Sequence, residues 1–145
     1  MKEYLSTVQI SASPAEVWAV LGDGPSYAQW NPEIVKIDGE FAAGGTVTAH
    51  VRLGSGAVRV LRQKVVDFSA PNRMEWVSGL PFGLFTGRRI YTVAPKAGGS
   101  EFQLKVQMSG LVSGPILKSV GDRQPELDSF SHALKKTVEA RRQPG

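Results

Sequence analysis

The polar residues best suited to binding a ligand, an arginine and a tyrosine, are predicted to lie on the inner face of a strand. Arg89 and Tyr91 alternate along one predicted strand and so share a face. An arginine on an inner face must be paired or solvated, because a lone buried charge is very costly. Its planar guanidinium is suited to holding a carboxylate through two parallel hydrogen bonds. The alternative interpretation is an arginine near a strand end that reaches solvent.

Two polar residues interrupt the apolar face of the last predicted helix. Arg123 and Gln124 fall within about 60° of the centre of that face when each residue advances by about 100°. Polar groups on a helix that covers a pocket are typical of positions that orient a ligand. The alternative is a helix that breaks near Gly121, with these residues beginning a second segment. Pro125 favours a break, because proline removes a backbone donor from a helix.

Motifs for metal, phosphate or nucleophilic chemistry are absent from the sequence. The two histidines, His50 and His132, are predicted on outward faces, and no acidic or histidine cluster has the spacing of a zinc site. There is no nucleophile elbow and no phosphate loop. We therefore assign no catalytic residue, no metal and no cofactor. The acidic residues expected at turns or on outer faces are Asp23, Glu33, Asp38, Glu40, Asp67, Glu75 and Glu101.

The elements that must position these residues follow from periodicity and turn signals. Alternating segments predict strands, whereas capping residues and 3.6-residue spacing predict helices. Ser13, Pro14 and Glu16 form a helix start with a capping box. Short turns between consecutive strands predict an antiparallel meander in an α+β fold. The predicted strands span 3–10, 34–38, 46–53, 57–68, 73–78, 86–94 and 101–108, and the predicted helices 14–21, 23–30 and 111–142.

The last helix carries an apolar stripe long enough to lie lengthwise on the sheet. A long helix against a curved antiparallel sheet often leaves a cavity between them, which predicts a pocket for a hydrophobic or amphipathic small molecule. The stripe keeps its phase across Pro125, and the pattern leaves open whether the helix is continuous, kinked or broken there. The stripe consists of Ile116, Val120, Leu127, Phe130, Leu134 and Val138.

Ten residues are the candidates to line this cavity. Trp30 has the alternative of packing the second helix against the next strand, because a large aromatic side chain is usually part of the core. The apolar segment from Leu80 to Phe85 is a pocket lid or a partner-binding patch. The ten candidates are Trp30, Met74, Trp76, Phe85, Arg89, Tyr91, Met108, Val120, Gln124 and Leu127.

Length and composition limit the class of protein. The 145 residues suit one domain, 1–145, and no apolar run approaches a membrane span. The net charge of +4 comes from scattered lysines and arginines, without the interleaved aromatics of a nucleic-acid platform, so we expect no nucleic-acid partner. The lack of cysteine and of an apolar leader favours a cytoplasmic location.

Several short motifs, taken in order, resemble the START-like superfamily, and within it the polyketide cyclase/dehydrase and lipid-transport group of SRPBCC proteins. The first motif is Ile10-x-Ala12-x-Pro14-x-x-Val17-Trp18-x-x-Leu21-x-Asp23, followed by Trp30-Asn31-Pro32. The later motifs are Trp76-x-x-Gly79-Leu80, Phe85-x-Gly87-x-Arg89-x-Tyr91-x-x-x-Pro95, Gly98-Gly99-Ser100 and Met108-x-Gly110. This family often has a histidine or another polar residue where Arg89 stands, and phenylalanine where Tyr91 stands.

The resemblance implies a helix-grip fold, in which a curved antiparallel sheet surrounds a long C-terminal helix and encloses a pocket. Family members bind lipids, hormones, polyketides or aromatic rings, and only some are enzymes, so the fold alone assigns no reaction. We expect binding of a lipid, polyketide or aromatic type of molecule rather than catalysis. The alternatives are a cyclase or aromatase, in which Arg89, Tyr91 and Gln124 converge on carbonyl oxygens, and a protein-interaction module without a ligand. The sequence also leaves open a weak homodimer.

Overall fold

A curved antiparallel sheet is the main element of the computed structural model, which describes residues 2–31, 33–52, 56–120 and 122–142, without the side chains of 117, 119, 120 and 142. The described residues form seven strands in the order β1-β7-β6-β5-β4-β3-β2. Every neighbouring pair is antiparallel, so the predicted meander is confirmed, with β7 returning to pair with β1. The strands are β1 (Lys2–Ile10), β2 (Ile34–Gly39), β3 (Thr46–Arg52), β4 (Val58–Ser69), β5 (Arg73–Leu80), β6 (Phe85–Lys96) and β7 (Gly99–Ser109).

Alternation decides which side of each strand faces the core. Val47 and Ala49 are buried on β3, and Phe102, Leu104 and Val106 are buried on β7, while their neighbours along the strand are more exposed. Successive side chains of a strand point to opposite faces, so these residues share the concave face of the sheet. The predicted inner faces of both strands are therefore confirmed.

The strands of the β5–β6 hairpin extend further than predicted. The predicted 79–85 connection is reduced to residues 81–84, because Leu80 pairs with Phe85. The backbone N–H of Leu111 donates to the Gly83 carbonyl (3.2 Å), and that of Val112 to the Leu84 carbonyl (2.8 Å). These two bonds tie the hairpin loop to the segment that follows β7. The last residue of the predicted 46–53 strand lies outside the described residues, and so do the first two residues of the predicted 54–56 turn.

Two helical segments after β1 follow the predicted boundaries. Helix α1 (Pro14–Leu21) begins with the predicted capping box: Ser13 N–H donates to Glu16 Oε1 (3.0 Å), and Glu16 N–H donates to Ser13 Oγ (3.3 Å). The predicted 23–30 helix is a 3₁₀ turn, Gly24–Ser26, followed by α2 (Tyr27–Trp30). The Tyr27 hydroxyl donates to the Leu21 carbonyl, which joins the two segments.

The C-terminal helix is broken rather than continuous. Helix α3 (Ser113–Val120) and helix α4 (Gln124–Arg142) replace the predicted 111–142 helix. The Gln124 N–H donates to Asp122 Oδ1 (3.0 Å), so an acidic side chain caps the start of α4 immediately before Pro125. Proline is tolerated in a first helical turn, where its missing N–H would have no partner in any case. The alternative that Pro125 favoured, a second helical segment, is the one the structure adopts.

Helix α4 grips the sheet through the predicted stripe. Leu127, Phe130, Leu134 and Val138 are all buried, and His132 on the opposite side is exposed, as predicted. The Ser131 hydroxyl donates to the Leu127 carbonyl (3.0 Å) and lies 2.8 Å from the Ser6 hydroxyl on β1. None of the described helices is long and apolar enough to cross a membrane.

Candidate ligand cavity

A cavity of about 460 Å³ lies between the concave face of the sheet and the helical segments. Its volume falls in the range of small-molecule pockets. The apolar wall combines aromatic rings with aliphatic side chains, and the rings of Trp76 and Tyr91 lie with their centroids 5.1 Å apart. This wall includes Tyr27, Ile34, Ile37, Val51, Leu61, Trp76, Phe85, Tyr91, Val106, Met108, Ile116 and Phe130.

Arg89 on β6 provides one cationic group of the cavity, which Arg59, Arg62, Arg88 and Arg123 also line. Its Nε donates to the Tyr91 hydroxyl (2.9 Å), and its Nη1 lies 3.4 Å from Glu126 Oε1. Burial alone would lower the pKa of Arg89, but the nearby Glu126 and Tyr91 and the hydrogen bonds to both outweigh it, so the net pKa lies above the ordinary value. A guanidinium has five N–H donors, and the described residues occupy only two of its nitrogens. Arg89 therefore retains donors for a ligand oxygen.

Glu126 connects the cation of β6 to a second arginine. Arg123 Nη2 lies 3.7 Å from Glu126 Oε2, which is buried and accepts no hydrogen bond from the described residues. Burial and the nearby Glu126 raise the pKa of Glu33, although Arg123 and Arg89 partly oppose this rise. Burial also raises the pKa of Tyr91, against the opposing effect of Arg89, so its hydroxyl stays neutral and able to donate. This charged group of Glu33, Arg89, Arg123 and Glu126 is here called the charged cluster.

Small and polar side chains form the opposite part of the cavity, on the strands of the sheet. Ser78 on β5 pairs with Gly87 on β6, and the β4–β5 register through Lys64 and Val77 brings Gln63 beside Ser78. All three residues line the cavity. A Cβ added at Gly87 would meet its nearest atoms at 3.4 Å, which is ordinary contact. The space above Gly87 is therefore empty because the residue lacks a side chain, and the strand geometry does not require glycine there.

A family model described as polyketide cyclase / dehydrase and lipid transport matches residues 1–139. The chain belongs to this family. The resemblance in the sequence motifs is thus confirmed, together with the helix-grip fold. No curated protein sequence matches the chain.

Solved structures of low sequence identity share the fold. An aromatase/cyclase, Zhui from Streptomyces sp. R1128, has a TM-score of 0.76 at 18% identity over 98% of this chain and 96% of its own. A START superfamily protein from Mycobacterium smegmatis has a TM-score of 0.73 at 20% identity over 96% and 98%. The di-domain ARO/CYC StfQ from the steffimycin biosynthetic pathway matches 97% of this chain with 51% of its own, at 11% identity and a TM-score of 0.74. At these identities the likeness shows the fold alone.

In this member of the polyketide cyclase/dehydrase and lipid-transport family, five of the ten candidate residues line the cavity. They are Trp76, Phe85, Arg89, Tyr91 and Met108. Arg89 is on the inner face and is paired, whereas its neighbour Arg88 points outward and binds Glu75 (2.6 Å). The predicted orientation of both arginines therefore agrees with their positions in the sheet.

The other candidates lie elsewhere. Met74 and Leu127 are fully buried in the core, where neighbouring side chains leave no room for a ligand. The Trp30 ring packs against Tyr27 and Phe130, as in its alternative interpretation as a packing residue. The side chain of Val120 falls outside the described residues.

Gln124 is the one polar candidate that points away from the cavity. Its amide Nε2 donates to the Leu5 carbonyl on β1 (2.9 Å) and to Asp128 Oδ1 (3.1 Å). As the first residue of α4, Gln124 faces the edge of the sheet rather than the cavity. The expected convergence of Arg89, Tyr91 and Gln124 is thus limited to the first two, and Glu126 meets them instead.

Four polar residues that line the cavity are not among the sequence candidates: Glu33, Gln63, Ser78 and Glu126. Glu126 was missed because it lies about 100° from the centre of the apolar stripe, and Glu33 because it was assigned to a turn or an outer face. Glu75, also assigned outward, does face outward but is buried between Arg73 and Arg88. The sequence could have identified Gln63 and Ser78, because each lies two residues from a buried inner-face residue, Val65 and Trp76 respectively, and so lies on the inner face as well.

Proposed function

We propose that the protein binds an amphipathic small molecule in the cavity between the sheet and the helices. The observation that carries this proposal is the cavity of about 460 Å³ with an apolar wall and a few convergent polar groups. A pocket of this composition is the common form of a small-molecule site. The apolar body of the ligand contacts Trp76 and the neighbouring aliphatic residues, and an oxygen of its polar end accepts hydrogen bonds from Arg89.

The empty space above Gly87 allows a direct test. A valine at this position adds an isopropyl group to the cavity side of β6, and β-branched residues suit strands. We expect Gly87→Val to weaken binding of 2-naphthoate, an aromatic carboxylate, by at least about tenfold without lowering the free energy of unfolding. Binding is measured by the fluorescence of the probe and unfolding by urea denaturation.

Thr92→Val is the matched control, because Thr92 lies on the same strand and, by alternation, on the outer face. It introduces the same residue and should leave binding unchanged. Equal affinity of wild type, Gly87→Val and Thr92→Val would show that 2-naphthoate binds elsewhere. Failure of the wild type to bind 2-naphthoate at all would count against the cavity as a site for aromatic amphiphiles.

The cyclase alternative has less support than binding. It depended on three side chains that meet at one point, and Gln124 bonds to β1 instead. Arg89 and Tyr91 do converge, and this pair serves the binding proposal as well as it would serve a reaction. We therefore propose no reaction.

A further inference from the structure

The side chain of Gln63 is a buried amide without a protein partner. The residue is only 7% exposed and lines the cavity. Among the described residues, none forms a hydrogen bond with its side-chain amide. A buried amide without hydrogen bonds is costly, so polar groups in a core are normally satisfied. Among the described residues, the fully sealed groups without a partner are Trp30 Nε1, Trp76 Nε1 and Glu126 Oε2, so the Gln63 amide is open to the cavity and takes its partner, water or a ligand oxygen, from there.

Ser78 adds a second polar group beside this amide. It lines the cavity next to Gln63 across the β4–β5 pair, and its hydroxyl is likewise without a hydrogen bond to the described residues. A glutamine amide supplies both donors and an acceptor, and a serine hydroxyl supplies one donor and two lone pairs. The pair can therefore bind a hydroxyl or a carbonyl oxygen, and neither residue carries a charge that would demand a counter-ion.

This polar pair is separate from the charged cluster. Gln63 lies on β4 and Arg89 on β6, with β5 between them, which places their backbones roughly 10 Å apart across the sheet. Gly87 lies between the two polar regions, paired with Ser78 and two residues from Arg89 on β6, and its lack of a side chain leaves room there. A ligand that satisfies both regions carries oxygen at each end of a flat or extended apolar body.

We infer that Gln63 and Ser78 form a second polar subsite, which binds a hydroxyl or carbonyl oxygen at the far end of a ligand whose other polar end lies at Arg89. This inference rests on the proposed function, since it names the chemical class of the molecule that the same cavity takes. The class is a doubly oxygenated aromatic or extended amphiphile. A molecule with one polar end leaves the Gln63 amide to water.

Two matched probes test the subsite. They are 6-hydroxy-2-naphthoate and 2-naphthoate, which differ by one hydroxyl at the far end of the ring system. We expect the wild type to bind the hydroxylated probe about three- to tenfold more tightly, the ratio that one good hydrogen bond supplies. Gln63→Leu, which keeps most of the volume without the amide, should reduce this ratio to about one.

Gln103→Leu is the control variant, because Gln103 lies on the outer face of β7 and bonds to Glu101 there. It should keep the preference of the wild type. In nitrogen–proton correlation spectra, the side-chain amide signal that disappears in Gln63→Leu should shift with 6-hydroxy-2-naphthoate and stay in place with 2-naphthoate.

The outcomes separate this inference from the proposed function. If both probes bind wild type and Gln63→Leu with equal affinity and Gly87→Val weakens both, the cavity binds ligands and the second subsite is wrong. If neither probe binds the wild type, the proposed function fails for this class of ligand and the subsite fails with it.

Discussion

At the scale of single residues, we expect Glu33 to make the proposed ligand binding depend on pH. Burial and the nearby Glu126 raise its pKa, while Arg123, next to α4, and Arg89 on β6 partly lower it. Protonation of Glu33 removes one negative charge from the cavity wall, which favours an anionic ligand. We expect the affinity for 2-naphthoate to increase as the pH falls from 8 towards this raised pKa.

Glu33→Gln removes the titrating group and should therefore bind 2-naphthoate tightly across the whole range. Fluorescence titrations at several pH values measure the effect, with Glu101→Gln on the outer face as the control. Identical pH profiles for wild type and Glu33→Gln would assign the dependence to another group. Folding stability should change with pH in the same direction as ligand affinity. Because the folded state holds the Glu33 proton more strongly than the unfolded chain, the contribution of Glu33 to stability decreases as the pH rises.

Sequence pattern predicted the residues of the cavity only in part. Arg89 and Tyr91 were predicted correctly, because alternation along β6 assigns every second side chain to the inner face of the sheet. Met74 on β5 pairs with Tyr91 and shares this face, and it is nevertheless sealed in the core. How far along a strand the core ends and the cavity begins depends on the packing of residues distant in the chain, and periodicity carries no information about it.

At the scale of elements, the phase of α4 has a measurable consequence for stability. Leu134 is fully buried, whereas His132, two residues earlier, is exposed. We expect Leu134→Ala to lower the free energy of unfolding by about 2–4 kcal/mol, because it removes buried methyl groups and leaves a cavity. His132→Ala should change it by less than about 0.5 kcal/mol. Urea denaturation measures both, and equal losses would mean that the assigned phase of α4 is wrong.

The elements were more predictable than the residues of the site, for a physical reason. Alternation, a capping box and a helical stripe are local signals, and they located β1, β3, α1 and the buried face of α4. The break before Gln124 was harder to predict, because two sequence signals oppose each other there. The apolar stripe favours one continuous helix and Pro125 favours a break, and the sequence does not show which signal is stronger. Its effect on the site was large, because the start of α4 sets where Gln124 and Glu126 point.

At the scale of the whole molecule, two surface carboxylates with lowered pKa values connect neighbouring strands or distant parts of the chain. Hydrogen bonds from Ser69 and Arg73 lower the pKa of Asp67. Hydrogen bonds from Lys135 and from the backbone of Ser11 lower the pKa of Glu139, which ties α4 to the segment after β1. Since the unfolded chain binds these protons more strongly, both groups stabilise the fold above their ordinary pKa values, and this contribution is lost as the pH falls towards the folded-state values.

We therefore expect the urea midpoint to decrease between pH 6 and pH 3, and to decrease less steeply in Asp67→Asn and Glu139→Gln. Each variant should already be less stable at pH 6, because the stabilising carboxylate is gone. Denaturation curves at four pH values measure this. A slope unchanged in both variants would show that other carboxylates account for the acid sensitivity.

The row that runs from Gln63 through Ser78 to Gly87 also bears on how such a protein diverges. Each of these residues faces the cavity, while its backbone keeps the ordinary hydrogen bonds of a strand. Single-codon changes in this row alter the size and polarity of the chamber without disturbing strand pairing. Under the proposed function, a change of ligand therefore requires substitutions at a few positions on one face of the sheet, while the strand pairing that defines the architecture stays the same.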